Sequence, residues 1–330
     1  MENNENGLSH ITDTLETVLT GIPAPVRKNF FKAFSQLCTA AVDIPVSWLE
    51  GKSSEIRATT AARVKIINKE GDNISEKIEV PNAYLEKASS KFASKIIKEQ
   101  INLDEITINA SKELIKSEIQ DDEAEPKEIS EDWLNEFESI ARLKSSEEMK
   151  FIFGKILSGE IIQPGKFSVK TVKTLAELDN EAARLFQILC GNAVSLRFRA
   201  DWLYDARVVS LEGTAGSNSL SKYGLPFRSL TILEEYGLII SDFNSWSDYQ
   251  SCIVSEQNKV SSTIKFQGKI YGLLKIDKEK PVNEVKFSGV SLTKVGLELL
   301  DIIEVRSSDI YRKDFENYLK NKNLQILEIK

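Results

Sequence analysis

The chain has 330 residues, 41% hydrophobic and 28% charged, an ordinary globular balance with length for two or three compact units. A net charge of -7 excludes a chain-wide attraction to nucleic acid or anionic lipid, so any such role needs a local patch. One histidine, His10, and three distant cysteines, Cys38, Cys190 and Cys252, argue against histidine–cysteine metal centres and a histidine-based nucleophile relay. Each cysteine reads as a small buried hydrophobe.

The acidic, polar start, MENNENGLSH, lacks the basic and apolar regions of a secretory leader. No run of about 18 consecutive apolar residues suggests a spanning helix. The expected location is the cytoplasm, with the inner membrane surface as a peripheral alternative. A first helix is expected over about 11–19, ended by the prolines at Pro23 and Pro25. A second runs from about Val26 to Val42, with Phe30, Phe31, Phe34, Leu37, Cys38 and Ala41 at helical spacing. Residues 47–68 read as a third, rich in small side chains. Residues 21–70 carry eight basic and four acidic side chains. There Arg27, Lys28, Lys32, Arg57, Arg63 and Lys65 lie beside Phe30, Phe31, Phe34 and Trp48. Such a composition suits an amphipathic core helix with a solvated basic face, or a surface that meets lipid headgroups or a partner.

From about Asn82 a long helix is expected to Ile119, with an apolar stripe through Leu85, Ala88, Phe92, Ile96, Ile97, Ile101, Ile108, Leu114, Ile115 and Ile119. Less regular spacing near 101–106 allows a kink. Such a length suits an arm or an oligomerisation helix as well as a bundle element. Residues 118–128 read as an acidic linker. Over residues 116–150 there are twelve acidic and five basic side chains, without the alternating pattern of a calcium loop. Ser130 is the expected cap of a helix bearing Trp133, Phe137 and Ile140. Ser145-x-x-Glu148 reads as a capping box opening the next helix, with Gly159 as its C-cap. Phe167-Ser168 leads into a further helix, and Asp179 caps another with Leu185, Phe186 and Leu189.

Beyond about Asn218 the pattern changes. A helix over Pro226–Tyr236 precedes strand-like runs at 252–254, 262–266, 270–276 and 285–287, and then Leu292-Thr293 opens an apolar helix. This order resembles a winged helix. The expected fold is therefore mainly α, with multi-helix amino-terminal and central regions and a carboxy-terminal winged-helix-like α+β module. The expected divisions are 1–70, 71–128, 129–210 and 211–330, the last including a charged tail. Residues 218–306 carry eleven basic and eleven acidic side chains, and a neutral module is poorly suited to neutralising phosphates. Gly51-Lys52-Ser53 has the tail of a phosphate-binding loop, but Val46 stands where its first glycine is needed.

Two segments carry a family resemblance, residues 21–51 and residues 145–186. Within the second stand Leu157, Gly159, Glu160, Pro164, Phe167 and Ser168, followed by Leu175, Leu178, Glu181, Ala182 and Phe186. Their order resembles the bacterial domain-of-unknown-function family 2806, and the second segment is also similar to the abortive-infection alpha proteins. The resemblance covers about the first two-thirds of the chain. It implies a helical fold and a role in anti-phage defence, and supplies no catalytic residues. The expected function is a non-enzymatic interaction or sensor protein that assembles through the long helix. One alternative is a membrane-acting effector using residues 21–68; another is a nucleic-acid-binding regulator using the winged-helix-like module. The expected partners are proteins, a second copy of this chain among them. No cofactor, metal or small-molecule substrate is inferred.

Overall fold

A computed structural model describes residues 22–38, 82–117, 127–198, 202–254, 260–282 and 284–329. The helices expected over 11–19 and 47–68, with Trp48, Arg57, Arg63 and Lys65, lie outside the described residues, as does most of the acidic linker. The chain divides into two compact units, residues 1–172 and 173–330.

The first unit is helical: α1 (Ala24–Leu37), α2 (Asn82–Lys116), α3 (Glu131–Ala141) and α4 (Glu147–Ile162). Pro25 sits in the first turn of α1, where a missing amide costs nothing. Ser130 Oγ accepts from Trp133 N and caps α3, as its spacing predicts. The α4 cap is Ser146, accepting from Met149 N, one residue beyond the expected Ser145. The core is formed by Phe30, Phe34 and Leu37 of α1, Leu103, Ile106 and Ala110 of α2, Trp133 and Phe137 of α3, and Phe153, Ile156 and Leu157 of α4. Trp133 stacks on Phe137 at 5.0 Å between ring centroids, and Phe137 meets Phe153 at 5.6 Å.

Helix α2 is continuous across 101–106, where a kink was allowed. It packs along α4, and Gly154 sets the approach. A Cβ built there lies 2.6 Å from Asn109 Cβ and 3.1 Å from Ala110 N, with no room between the backbones. Beside this crossing the nearly buried Lys150 pairs with Glu105 of α2 and with Glu147. The hydrogen bond to Glu105 leads in holding its ammonium above the ordinary lysine value. The seam is Leu103, Ile106, Ala110 and Leu114; of the expected stripe only Leu114 belongs to it, while Ile101 and Ile115 are exposed.

Helix α5 (Val169–Glu177) spans the division between the units. The second unit continues with α6 (Asn180–Asn192), β1 (Val194–Phe198), β2 (Trp202–Val209), α7 (Phe227–Glu235), β3 (Ile239–Ile240) and β4 (Trp246–Asp248). It ends with β5 (Ser262–Phe266), β6 (Lys269–Lys275), β7 (Lys286–Leu292), α8 (Lys294–Leu300), α9 (Asp309–Asn321) and β8 (Leu324–Glu328). The eight strands among the described residues join one antiparallel sheet in the order β3-β7-β2-β1-β5-β6-β8, with β4 also on β7. This sheet overturns the expectation of a mainly α fold: the chain is mixed α+β. The carboxy-terminal module is α+β as expected, but its sheet is far larger than a wing. Strands β1, β2 and β8 fall in segments read as a helical domain and a charged tail. Gln267 and Gly268, with φ of 49° and 80°, form the two-residue turn of the β5–β6 hairpin. Helix α9 lays Tyr311, Phe315 and Tyr318 against Phe266 and Phe287 of the sheet, with Phe266–Phe315 centroids 5.3 Å apart.

Replacing an exposed helical glycine by alanine normally stabilises by about 1 kcal/mol. At Gly154 the methyl has nowhere to go, so Gly154→Ala is expected to destabilise instead, and Gly154→Val by about 2 kcal/mol. Urea unfolding followed by circular dichroism checks the sign.

Candidate functional site

The family-motif residues build a turn. Glu160, 2% exposed, lies near the end of α4, and its carboxylate accepts from Gly165 N at 2.6 Å and Phe167 N at 2.9 Å. Gly159 is not a C-cap, because α4 continues to Ile162. Its missing side chain admits the Phe167 ring, which a Cβ would meet at 2.6 Å. Phe167 O then accepts from Trp133 Nε1 at 2.7 Å, Ser168 Oγ caps α5 through Thr171 N, and Leu157 is buried. Pro164 lies in the turn itself, between α4 and the left-handed Gly165. Each of these groups fixes backbone and offers nothing to a substrate.

The basic aromatic helix α1 is drawn into the same unit. Phe30 and Phe34 are buried and Phe31 is half-buried. Lys28 pairs with Glu128, and Lys32 Nζ donates to Ile129 O at 2.8 Å. Asn29, also buried, bridges Lys127 O, Ile161 O and Ile129 N. Arg27 is half-buried. The aromatic bulk expected for a lipid-facing surface is therefore largely core here.

Two buried arginines lie in the sheet. Arg207 of β2 donates through Nε and Nη2 to both oxygens of Asp205, at 2.7 and 2.9 Å. It donates further to Ser247 Oγ, Ser245 O and Phe287 O. The buried Tyr249 hydroxyl donates to Asp205 or to Val194 O, both 3.1 Å away. Burial works against the guanidinium charge, yet Asp205 outweighs it and raises the Arg207 pKa. Arg197 of β1 donates to Asp301 at 2.5 Å, and Lys265 of β5 reaches the same oxygen at 3.4 Å. Burial pushes the Asp301 carboxyl up, but Arg197 and Lys265 win and hold it below the ordinary carboxylate range. The thiols are quiescent: burial raises Cys38 and Cys190, and pushes Cys252 up to about 12.

The first part of α2 is exposed. From residue 87 to residue 98 every described side chain is exposed. Over that span lie Lys87, Lys91, Lys95 and Lys98 and no acidic residue. At 100° per residue the four lysines share one face, and Ala88, Phe92 and Ile96 form a stripe directly beside it. Phe92 is 62% exposed and Ile97 59%. The apolar positions were readable in the sequence; the lysine face was not picked out, although four lysines without one acidic residue over twelve positions are its signal.

Among the described residues no group of three or more His, Cys, Asp or Glu side chains could hold a metal ion. No helix there is long and apolar enough to cross a membrane. The arrangement is that of a two-unit protein, one unit carrying a basic amphipathic helix outward and the other built on an antiparallel sheet. The chain belongs to the family described as protein of unknown function (DUF2806), whose sequence model matches residues 86–316. The matched span contains residues 145–186 and the sheet unit through most of α9, whereas residues 21–51 fall outside it. No curated protein and no solved structure matches the chain.

Arg207→Leu leaves Asp205 without its main partner, and a loss of about 3–5 kcal/mol is expected in urea unfolding. Adding Asp205→Leu should recover part of it. Asp301 has a lowered folded pKa, so its contribution is complete above the ordinary carboxylate value and lost as pH falls through the folded one. Asp301→Asn should accordingly flatten the loss of thermal stability between about pH 5 and pH 3 relative to the unaltered chain, as read by melting curves.

Proposed function

We propose that this chain is a non-catalytic interaction protein that assembles with a second copy of itself through the exposed part of α2, and that it serves bacterial defence against phage. The observation that carries the assembly is the run of exposed lysines and apolar side chains over residues 87–98. Such a surface seeks an acidic, partly apolar counterpart. The chain holds one: residues 116–150 have a balance of -7, from twelve acidic and five basic side chains, and Glu131 and Asp132 of α3 are exposed. A reciprocal exchange, the helix of each copy on the acidic stretch of the other, closes into a symmetric dimer. A second apolar line, Ile97, Ile101 and Ile115, each more than 40% exposed, lies on the other side of the lysine face and widens the contact. The defence role starts from the likeness to abortive-infection alpha proteins read in the sequence of residues 145–186; the family whose model matches the chain is one of unknown function.

Size-exclusion chromatography with light scattering tests the assembly. A dimer or larger species is expected in 0.1 M salt, shifting toward monomer near 1 M, where the screening length drops to about 3 Å. Phe92→Asp with Ile97→Asp should give monomer at both salts, with unchanged circular dichroism. A monomer at every concentration and salt rejects self-assembly. For the defence role, cells carrying the gene with its native neighbours should show reduced plaquing, and a chain with the Phe92 and Ile97 changes should lose that protection. Unchanged plaquing across a broad phage panel rejects it.

A further inference from the structure

The sheet unit holds a cleft of about 150 Å³ between β1, β5 and the segment that follows α8. Its polar side is Ser195, Lys265 and Asp301, and its apolar side includes Leu300, Ile303 and Val305. Ser195 Oγ is already used, donating to Lys265 O at 3.0 Å. Gln267, at the rim, is also committed: its amide donates to Ser308 O and accepts from Arg312. The recognising chemistry therefore falls to the charges.

These do not balance. Asp301 faces two cations, Arg197 and Lys265, so the three groups carry one positive charge in excess. Arg197 is 7% exposed and does not itself line the cleft, so it acts there through its charge on Asp301. Lys265 holds Asp301 only at 3.4 Å and is 39% exposed at its side chain, so it can turn toward a second anion without breaking a close pair. The excess charge calls for an anion, and the apolar wall calls for hydrocarbon. A cavity of this volume takes a group about the size of benzene.

We propose that this cleft binds a small monocarboxylate with a short apolar tail, its carboxylate taken by Lys265 and its tail laid against Leu300, Ile303 and Val305. The reading is independent of self-assembly, since it rests on a different unit of the chain. Isothermal titration of the full chain with butyrate, benzoate, butylamine and inorganic phosphate tests it. Saturable binding of butyrate or benzoate is expected, at least tenfold tighter than butylamine or phosphate. Lys265→Met should weaken it tenfold or more, and Val305→Trp, which fills the apolar side, should abolish it; melting curves identify any variant that fails to fold, and Lys265→Gln then replaces it. Absence of saturation with both carboxylates overturns the proposal. So does phosphate binding as tightly as benzoate, which would reveal a bare anion site, or full affinity in folded Lys265→Met.

Discussion

A buried guanidinium must satisfy five N–H donors, and Arg207 satisfies all five. That one side chain draws Asp205 of its own strand, Ser245 and Ser247 around β4, and Phe287 of β7 to a single point. The Tyr249 hydroxyl lies 3.1 Å from both Asp205 and Val194 O of β1 and donates to one of them. The strands so joined are the middle of the sheet and the β4 branch on β7, and the aromatic cluster of α9 rests on Phe287 and Phe266 beside them. A network complete at every atom has nothing left for a ligand. Its role is to hold register, because a one-residue slip would carry Arg207 to the opposite face and strand its charge.

The same accounting distinguishes the other buried polar groups. Glu160 spends its carboxylate on two backbone amides of the turn after α4, and Asn29 spends its amide on three backbone groups. Both are local substitutes for secondary structure where the chain has none. This explains why the most recognisable stretch of the sequence identifies a family without pointing to a reaction. Arg197 is the exception: it sits in the same sheet, buried like its counterpart, with one donor left over. Of two buried arginines on neighbouring strands, one is satisfied at every donor and the other is not.

What could be read from the sequence follows the range of the interactions concerned. Caps are contacts across three residues, so Ser130 and Asp179 were legible, and the Ser146 cap was missed by one position only because Ser145 is its neighbour. The strand β5 was legible for the same reason, its alternation being uninterrupted. In β1 and β2 the alternation is carried partly by Arg197, Asp205 and Arg207. A sequence reading takes these for solvent positions, when the two arginines are buried and Asp205 half-buried because each meets an opposite charge. β8 lies just beyond a charged helix and pairs with β6, some fifty residues earlier. Nothing local announces that pairing. The candidate surface was half legible for a related reason: periodicity locates apolar positions but does not say which are covered.

Helix α2 shows how that choice is made. It carries two apolar ridges, one through Leu103, Ile106, Ala110 and Leu114 and one through Ile97, Ile101, Ile108 and Ile115. By hydrophobicity alone the isoleucine ridge is the stronger candidate for burial. The other ridge is buried because its small residue, Ala110, meets Gly154, which lets the backbones close, and because Glu105 stands where Lys150 needs an anion. Close packing returns more per residue than bulk alone, since each atom then has neighbours at contact distance. The larger ridge is thereby left facing outward, with lysines beside its first turns. Exposed isoleucines such as Ile97, Ile101 and Ile115 are a cost to a lone molecule and a source of association energy to a pair. The choice made inside the unit thus determines the surface the chain presents outside it.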